Sequence, residues 1–151
     1  MLSLKRFLPY RLNRSAAAVS AEVSRVYRSR HGLTTPEWRV LVTLGELGAA
    51  VASEIGADTA MHKTKVSRAV RGLEARRWLA RRRDAEDRRV EHLSLTPLGV
   101  EALAQLSPAM LEAERRIVAR LTVEERIALD RALAALERAA PRPDPRARPA
   151  R

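Results

Sequence analysis

The chain has 151 residues, contains no cysteine and carries a formal net charge of +11. This length suits one domain with a real core, and the absence of cysteine excludes disulfides, cysteine-based zinc sites and thiol redox sensing. The excess of positive charge favours a polyanionic partner, either nucleic acid or an anionic membrane.

Aromatic residues are only 3% of the chain, which favours a helical core of Leu, Val and Ala. No apolar run approaches the roughly 18 residues that a membrane span needs. The N-terminus lacks the apolar region of a secretory signal. We therefore expect a soluble, cytoplasmic protein without a membrane partner.

The first predicted element is a long helix from about Lys5 to Arg30. Apolar residues recur there in steps of three and four, as on one face of a helix. Gly32 is expected to end this helix in the left-handed conformation. The stripe consists of Leu8, Leu12, Ala16, Val19, Val23 and Val26.

Three further helices are predicted before residue 76. Thr34-Thr35-Pro36-Glu37 has the pattern of a capped helix start. A short helix over Ala52–Thr59 and a turn at Ala60-Met61 then lead into an amphipathic helix over Met61–Ala75. A short helix, a turn and a basic second helix are typical of a helix-turn-helix.

The residue pattern is no longer helical after Arg77. Three arginines, Arg81 to Arg83, precede the acidic run Asp84–Asp87, and Leu93 and Leu95 then alternate with polar residues. We expect two short antiparallel strands joined by a charged loop, which is a β-hairpin wing.

Helices return at Thr96-Pro97, another helix start. We expect a kink or a brief break at Ser107-Pro108. A capping box at Thr122–Glu125 opens a final helix that carries Ile127, Leu129, Leu133 and Leu136. The Pro/Arg-rich residues 140–151 are expected to be a disordered basic tail.

Positive charge is concentrated between Met61 and His92, where 11 Lys/Arg stand against 5 Asp/Glu, a net charge of +6. Phosphate binding needs such a concentration. On the basic helix, Lys63 and Thr64 suit a phosphate, and Lys65, Ser67, Arg68 and Arg71 are candidates for base edges. Alternatively, each of these side chains is only a backbone contact or part of a solvated face.

Enzymatic and metal sites find little support. The three histidines lie in separate predicted elements without metal-ligand spacing. There is no glycine-rich phosphate loop and no Gly-x-Ser-x-Gly turn. We expect no catalytic activity, no metal and no cofactor.

Three segments in register resemble one family. Asp87-Arg88-Arg89 followed by Leu93–Gly99 is similar to the wing signature of the MarR family of bacterial winged helix-turn-helix regulators. Met61–Arg68 is similar to the start of the family's recognition helix, and Thr35–Leu41 to its second helix. The resemblance covers roughly residues 6–138.

The resemblance implies a mainly α winged helix-turn-helix with a two-stranded β-hairpin wing and long N- and C-terminal dimerisation helices. The expected parts are a dimerisation helix over 1–32, a DNA-binding lobe over 33–96, dimerisation helices over 97–139 and the tail over 140–151. The resemblance also implies a homodimer, in which each protomer places one helix in a major groove of double-stranded DNA. Arg89 matches the wing arginine for the minor groove, Arg88 is expected to share this role, and Asp87 matches its acidic partner. The alternative for Arg89 is a surface ion pair with Asp84, Glu86 or Asp87.

The implied function is a sequence-specific transcriptional regulator, a repressor, bound to a pseudo-palindromic operator. A small aromatic or acidic effector is expected where the first two helices meet, at Tyr27, Arg30 and Trp38, unless these are ordinary core and interface residues. The alternative is a winged-helix module for non-specific DNA or protein binding without ligand regulation. His62, Lys65 and Gly72 depart from the family pattern and leave the preferred DNA sequence open.

Overall fold

Six α-helices surround a small antiparallel sheet in the computed structural model, which describes residues 3–140. The elements are α1 (Leu8–His31), α2 (Thr35–Leu47), β1 (Ala49–Val51), α3 (Ala52–Asp58), α4 (Lys63–Ala75), β2 (Leu79–Arg83), β3 (Glu91–Leu95), α5 (Pro97–Val118) and α6 (Val123–Ala139), with a short 3-10 turn at Leu4–Arg6 before α1. The predicted mainly helical fold with a helix-turn-helix and a hairpin is confirmed. Apart from Ala140, the predicted tail lies outside the described residues.

Several helices begin or end at the capping residues that the sequence predicts. Thr34 and Glu37 form a reciprocal capping box, in which the Thr34 N–H donates to Glu37 Oε2 at 2.7 Å. Thr122 and Glu125 repeat it at the start of α6. Gly32 ends α1 with φ +62°. Local side-chain chemistry therefore sets these boundaries.

The sheet has three strands where the sequence predicts two. The hairpin of β2 and β3 is present, and β1 adds to the other edge of β3, so that the strand order is β1-β3-β2. The prediction missed β1 because three residues are too few to show an alternating pattern. Ala50 pairs with Leu93 in the core, and this pairing is a tertiary contact.

Of the expected kink or brief break at Ser107-Pro108, the break is wrong, because helix α5 continues through Pro108. A proline removes one backbone donor from a helix, and at this position the lost bond is the one to the carbonyl of Ala104. Pro108 itself is exposed. The first turn of α4 also begins at Lys63, two residues later than predicted, because Met61 is buried and His62 caps the helix.

The core lies where α1, α2 and α5 meet the helix-turn-helix and the sheet. Its fully buried side chains include Tyr27, Leu41, Leu44, Ile55, Leu73, Leu93 and Leu106. Burying one such apolar side chain stabilises a fold by about 1.5–3 kcal/mol. In the described part of the chain, no helix is long and apolar enough to span a bilayer.

The turn of the helix-turn-helix contains a left-handed alanine, and this leads to a testable prediction. Ala60 has φ +53°, and the Met61 N–H donates to the carbonyl of Gly56 at 2.9 Å in a Schellman motif. Ala60→Gly should stabilise the protein by about 1 kcal/mol, because glycine has no Cβ to strain. The control Ala57→Gly, inside α3, should destabilise it by about as much. Urea unfolding measures both changes, and a loss of stability in Ala60→Gly would contradict the assigned conformation.

Candidate nucleic-acid interface

Helix α4 separates an apolar face from a cationic face. Val66, Val70 and Leu73 are buried in the core, as the spacing predicts. The cations on the rest of the helix are exposed, and among residues 3–140 none lies within 4.0 Å of a carboxylate oxygen. These cations are Lys63, Lys65, Arg68 and Arg71. Their charge is therefore available to an external anion.

The N-terminal turn of α4 carries the predicted phosphate-binding residues. The His62 ring accepts a weak hydrogen bond from the Thr64 N–H at 3.4 Å. Lys63 and Thr64 are exposed beside this end, whereas Ser67 is half-buried. Backbone N–H groups and the helix dipole make such an end favourable for an anion. Contact with DNA remains a prediction for each of these residues.

Asp84 organises the loop between the two wing strands. Its Oδ1 accepts the backbone N–H groups of Asp87 at 3.0 Å and Glu86 at 2.9 Å, and its Oδ2 lies 3.0 Å from His92 Nε2. These bonds, led by the one from Asp87, lower the pKa of Asp84 to about 2. Asp84 is thus ionised at neutral pH and holds the loop in shape. Sequence reasoning named it only as an alternative ion-pair partner of Arg89, although an aspartate at the start of a turn is a known signal.

Asp87 and the two wing arginines follow in the same loop. The Arg89 N–H donates to Asp87 Oδ1 at 3.0 Å, and Arg89 Nε lies 3.7 Å from the same oxygen. The Arg89 side chain is nevertheless 94% exposed. Arg88 is exposed beside it. The loop therefore presents two guanidinium groups to solvent, next to the carboxylate predicted to orient Arg89.

The three arginines of β2 have different surroundings. Arg82 and Arg83 are exposed, and in the described part of the chain no carboxylate pairs with them. They are further candidates for phosphate contact that the prediction omitted, although the run Arg81–Arg83 was visible in the sequence. Arg81, by contrast, is occupied by Glu74 and Glu91.

The predicted effector residues are brought together only in part. Tyr27 is buried, its hydroxyl donates to Thr35 Oγ1 at 2.9 Å, and its ring stacks on Trp38 with a centroid separation of 5.5 Å. Trp38 is half-buried, and Arg30 is exposed. A shallow groove beside Trp38 is lined by Arg39, Val42, Thr43, Glu46, Asp58, Thr59 and Ala60. The pair Tyr27–Trp38 is thus a packed part of the fold, and an effector site at Tyr27, Arg30 and Trp38 remains a prediction.

Known proteins match both the sequence and this geometry. A model of the MarR family matches residues 31–90, from the end of α1 to the wing. The HTH-type transcriptional regulator YwoH of Bacillus subtilis is 26% identical over 83% of this chain and 90% of its own length.

Two solved structures share the fold over nearly the whole chain. A probable transcriptional regulator from Pseudomonas aeruginosa is 29% identical with a TM-score of 0.75, over 89% of this chain and 99% of that one. Sco3205 from Streptomyces coelicolor, a MarR family regulator solved in complex with DNA, is 24% identical with a TM-score of 0.79, over 92% of this chain and 89% of that one. The wing, the basic helix, the family model and these relatives agree: residues 31–90 match the MarR family, and the fold is that of winged-helix transcriptional regulators.

Proposed function

We propose that this regulator is a repressor that binds a pseudo-palindromic operator as a homodimer and is released by a small aromatic or acidic effector. The observation that carries the DNA-binding surface is the exposed cationic face of α4, whose opposite face is buried and whose cations lack carboxylate partners in residues 3–140. The wing arginines extend this surface. A helix of this kind fits the major groove of B-DNA.

Each part of the surface has its own task in this proposal. Lys63 and Thr64 at the helix start bind a phosphate. Lys65, Ser67, Arg68 and Arg71 face base edges, where arginine paired with guanine is the commonest specific contact. Arg89, helped by Arg88 and oriented by Asp87, enters the adjacent minor groove and reads its width.

The dimer is supported by apolar side chains that the single chain leaves exposed on its terminal helices. Leu8, Leu12 and Val19 on α1 are between 40% and 51% exposed. At the other end, a groove between α5 and α6 is lined by Val118, Leu121, Arg126, Ile127, Leu129, Asp130 and Leu133. We propose that a second copy of the chain covers these apolar surfaces. A two-fold dimer formed in this way presents two recognition helices about one helical turn apart, as a pseudo-palindromic operator requires. Sedimentation should give a dimer, and a monomer would overturn this part.

The effector is proposed to act at the junction of α1 and α2. The half-buried Trp38 lies there, with Arg30 exposed at the end of α1. The groove on the other side of Trp38 lies between α2 and the turn after α3, and it carries Glu46 and Asp58 as well as Arg39. An aromatic ring and a cation suit an aromatic acid. Binding there would change the separation of the two recognition helices and so favour a state with weaker DNA affinity.

Selection of DNA from a random pool tests the function directly. The selected duplex should contain an inverted repeat and bind at least ~10³-fold more tightly than random duplexes of the same length. Fluorescence anisotropy at several salt concentrations measures both affinities. Equal affinity for all duplexes would favour the non-specific module and overturn the regulator.

Arg89→Ala should weaken binding to the selected duplex and reduce the slope of log affinity against log salt by about 1, since it removes one positive charge from the minor groove between the phosphates. The matched control is Arg138→Ala, an exposed arginine in the last turn of α6. The control should leave the affinity and the slope unchanged. If Arg89→Ala did the same, the wing would not contact DNA.

A further inference from the structure

Arg81 joins carboxylates from two other elements. Its Nη2 donates to Glu74 Oε2 at 2.9 Å and its Nε to Glu74 Oε1, which makes a two-pronged pair, while Nη1 donates to Glu91 Oε2 at 2.8 Å. These hydrogen bonds lower the pKa of Glu74 and raise the pKa of Arg81. One guanidinium thus links the last turn of α4 to both strands of the wing.

The position of Arg81 on β2 makes this contact possible. Arg81 pairs with Leu93 across the sheet and Leu79 pairs with Leu95, so Arg81 lies on the same face as the buried Leu79 and Leu93. That face is turned toward the core and α4. Arg82, one residue on, lies on the other face.

Glu74 has a second potential partner. Arg71 precedes it by three residues on α4, a spacing at which opposite charges on a helix pair. Both carboxylate oxygens of Glu74 are instead engaged by Arg81. Arg71, one of the proposed base-reading residues, therefore lies within 4.0 Å of no carboxylate oxygen among residues 3–140, although its charge also helps to lower the pKa of Glu74.

We propose that Arg81 is a positioning residue for DNA binding, which holds the wing at a set orientation to the recognition helix and keeps Glu74 from capturing Arg71. The proposal rests on the proposed function, because it requires that α4 and the wing bind DNA together. It assigns Arg81 no contact with DNA. An exposed ion pair contributes little to stability, so the main effect of its loss is on binding geometry.

The first test measures geometry without DNA. The chain has no cysteine, so Ala75→Cys and Ala85→Cys, both at exposed positions, allow spin labels on α4 and on the wing loop. Labelled chains are diluted with unlabelled ones, so that distances within one chain dominate. Arg81→Ala should broaden the distance distribution and Arg82→Ala should not. An unchanged distribution in Arg81→Ala would overturn the proposal, whatever DNA the protein binds.

The second test measures affinity for the duplex that the wild-type chain selects. Arg81→Ala should weaken binding roughly tenfold, within the usual range for residues that act through others. Arg81→Lys should not restore it, because an ammonium cannot make the two-pronged contact. Arg82→Ala shows the effect of losing one wing charge alone.

Removal of Glu74 separates the two roles of Arg81. In Arg81→Ala, Glu74 can pair with Arg71, which should lower the salt slope. In the double variant Arg81→Ala/Glu74→Ala, this carboxylate is absent, so the salt slope should return to the wild-type value while the affinity recovers only in part. A slope that stays lower by about 1 would make Arg81 itself a phosphate contact and overturn the positioning role. If the wild-type chain selects no sequence, the proposed function fails, and the label distances still decide whether Arg81 orients the wing.

Discussion

Gly99→Ala should destabilise the fold by about 3 kcal/mol or more, the upper range for overpacking a tight contact. A Cβ at Gly99 would overlap the carbonyl oxygen of Trp78 and lie 3.0 Å from its carbonyl carbon. These are backbone atoms, which cannot turn aside as a side chain can. Three bonds fix this approach, since Thr96 donates to the carbonyls of Arg77 and Trp78 and accepts from the Gly99 N–H.

Urea unfolding at one fixed protein concentration measures this loss, because the stability of a dimer depends on concentration. The matched control is Glu101→Ala, two residues further along α5 and exposed, for which a change within about 0.5 kcal/mol is expected. Residues 77–78 connect α4 to β2, so a displaced Trp78 would also move the wing against the recognition helix. A Gly99→Ala variant as stable as the control would mean that the start of α5 is not packed on this backbone.

Gly72→Ala should destabilise the protein by about 1–2 kcal/mol, although alanine is the better helix former by about 1 kcal/mol. A Cβ at this position of α4 would overlap Glu37 Oε1 and lie 3.0 Å from Glu37 Cδ. The Glu37 carboxylate is held in place because its Oε2 accepts from the N–H and the hydroxyl of Thr34. The added methyl must therefore displace the capping box of α2.

The sign should reverse when Glu37 is absent. In a Glu37→Ala background, the Cβ of Gly72→Ala no longer meets the Glu37 carboxylate, and the change should stabilise the protein by about 1 kcal/mol, the helix propensity alone. A double-mutant cycle of urea unfolding measures the coupling of the two positions. If Gly72→Ala were stabilising in both backgrounds, the close approach of α2 to the recognition helix would be wrong.

The helices and the hairpin were predictable because their signals are local. Thr34, Thr96 and Thr122 cap α2, α5 and α6 through bonds that span three residues, and such bonds can be seen in a short stretch of sequence. Strand β1 and the unbroken course of α5 through Pro108 were not predictable. The first depends on pairing with β3, more than 40 residues away, and the second on how a long helix tolerates one missing donor.

The features of the candidate site were likewise predictable only in part. The cations of α4 and the wing were found from charge and spacing, and the exposed faces they occupy agree with that choice. The different states of neighbouring arginines were not visible, because Arg81 differs from Arg82 only in the face of β2 on which it lies. Asp84 was likewise overlooked, since its partner His92 belongs to the other strand of the hairpin.

The sequence by itself determined the order of the helices, the concentration of positive charge and the family resemblance, because caps, periodicity and charge depend on residues close together in the chain. Gly72 was only a departure from the family pattern with a cost in helix propensity. The tertiary structure decided why it is a glycine, which arginines of residues 3–140 have no carboxylate partner and which one links the wing to α4. These properties depend on atoms that meet across different elements, and only the packed fold brings them within contact distance.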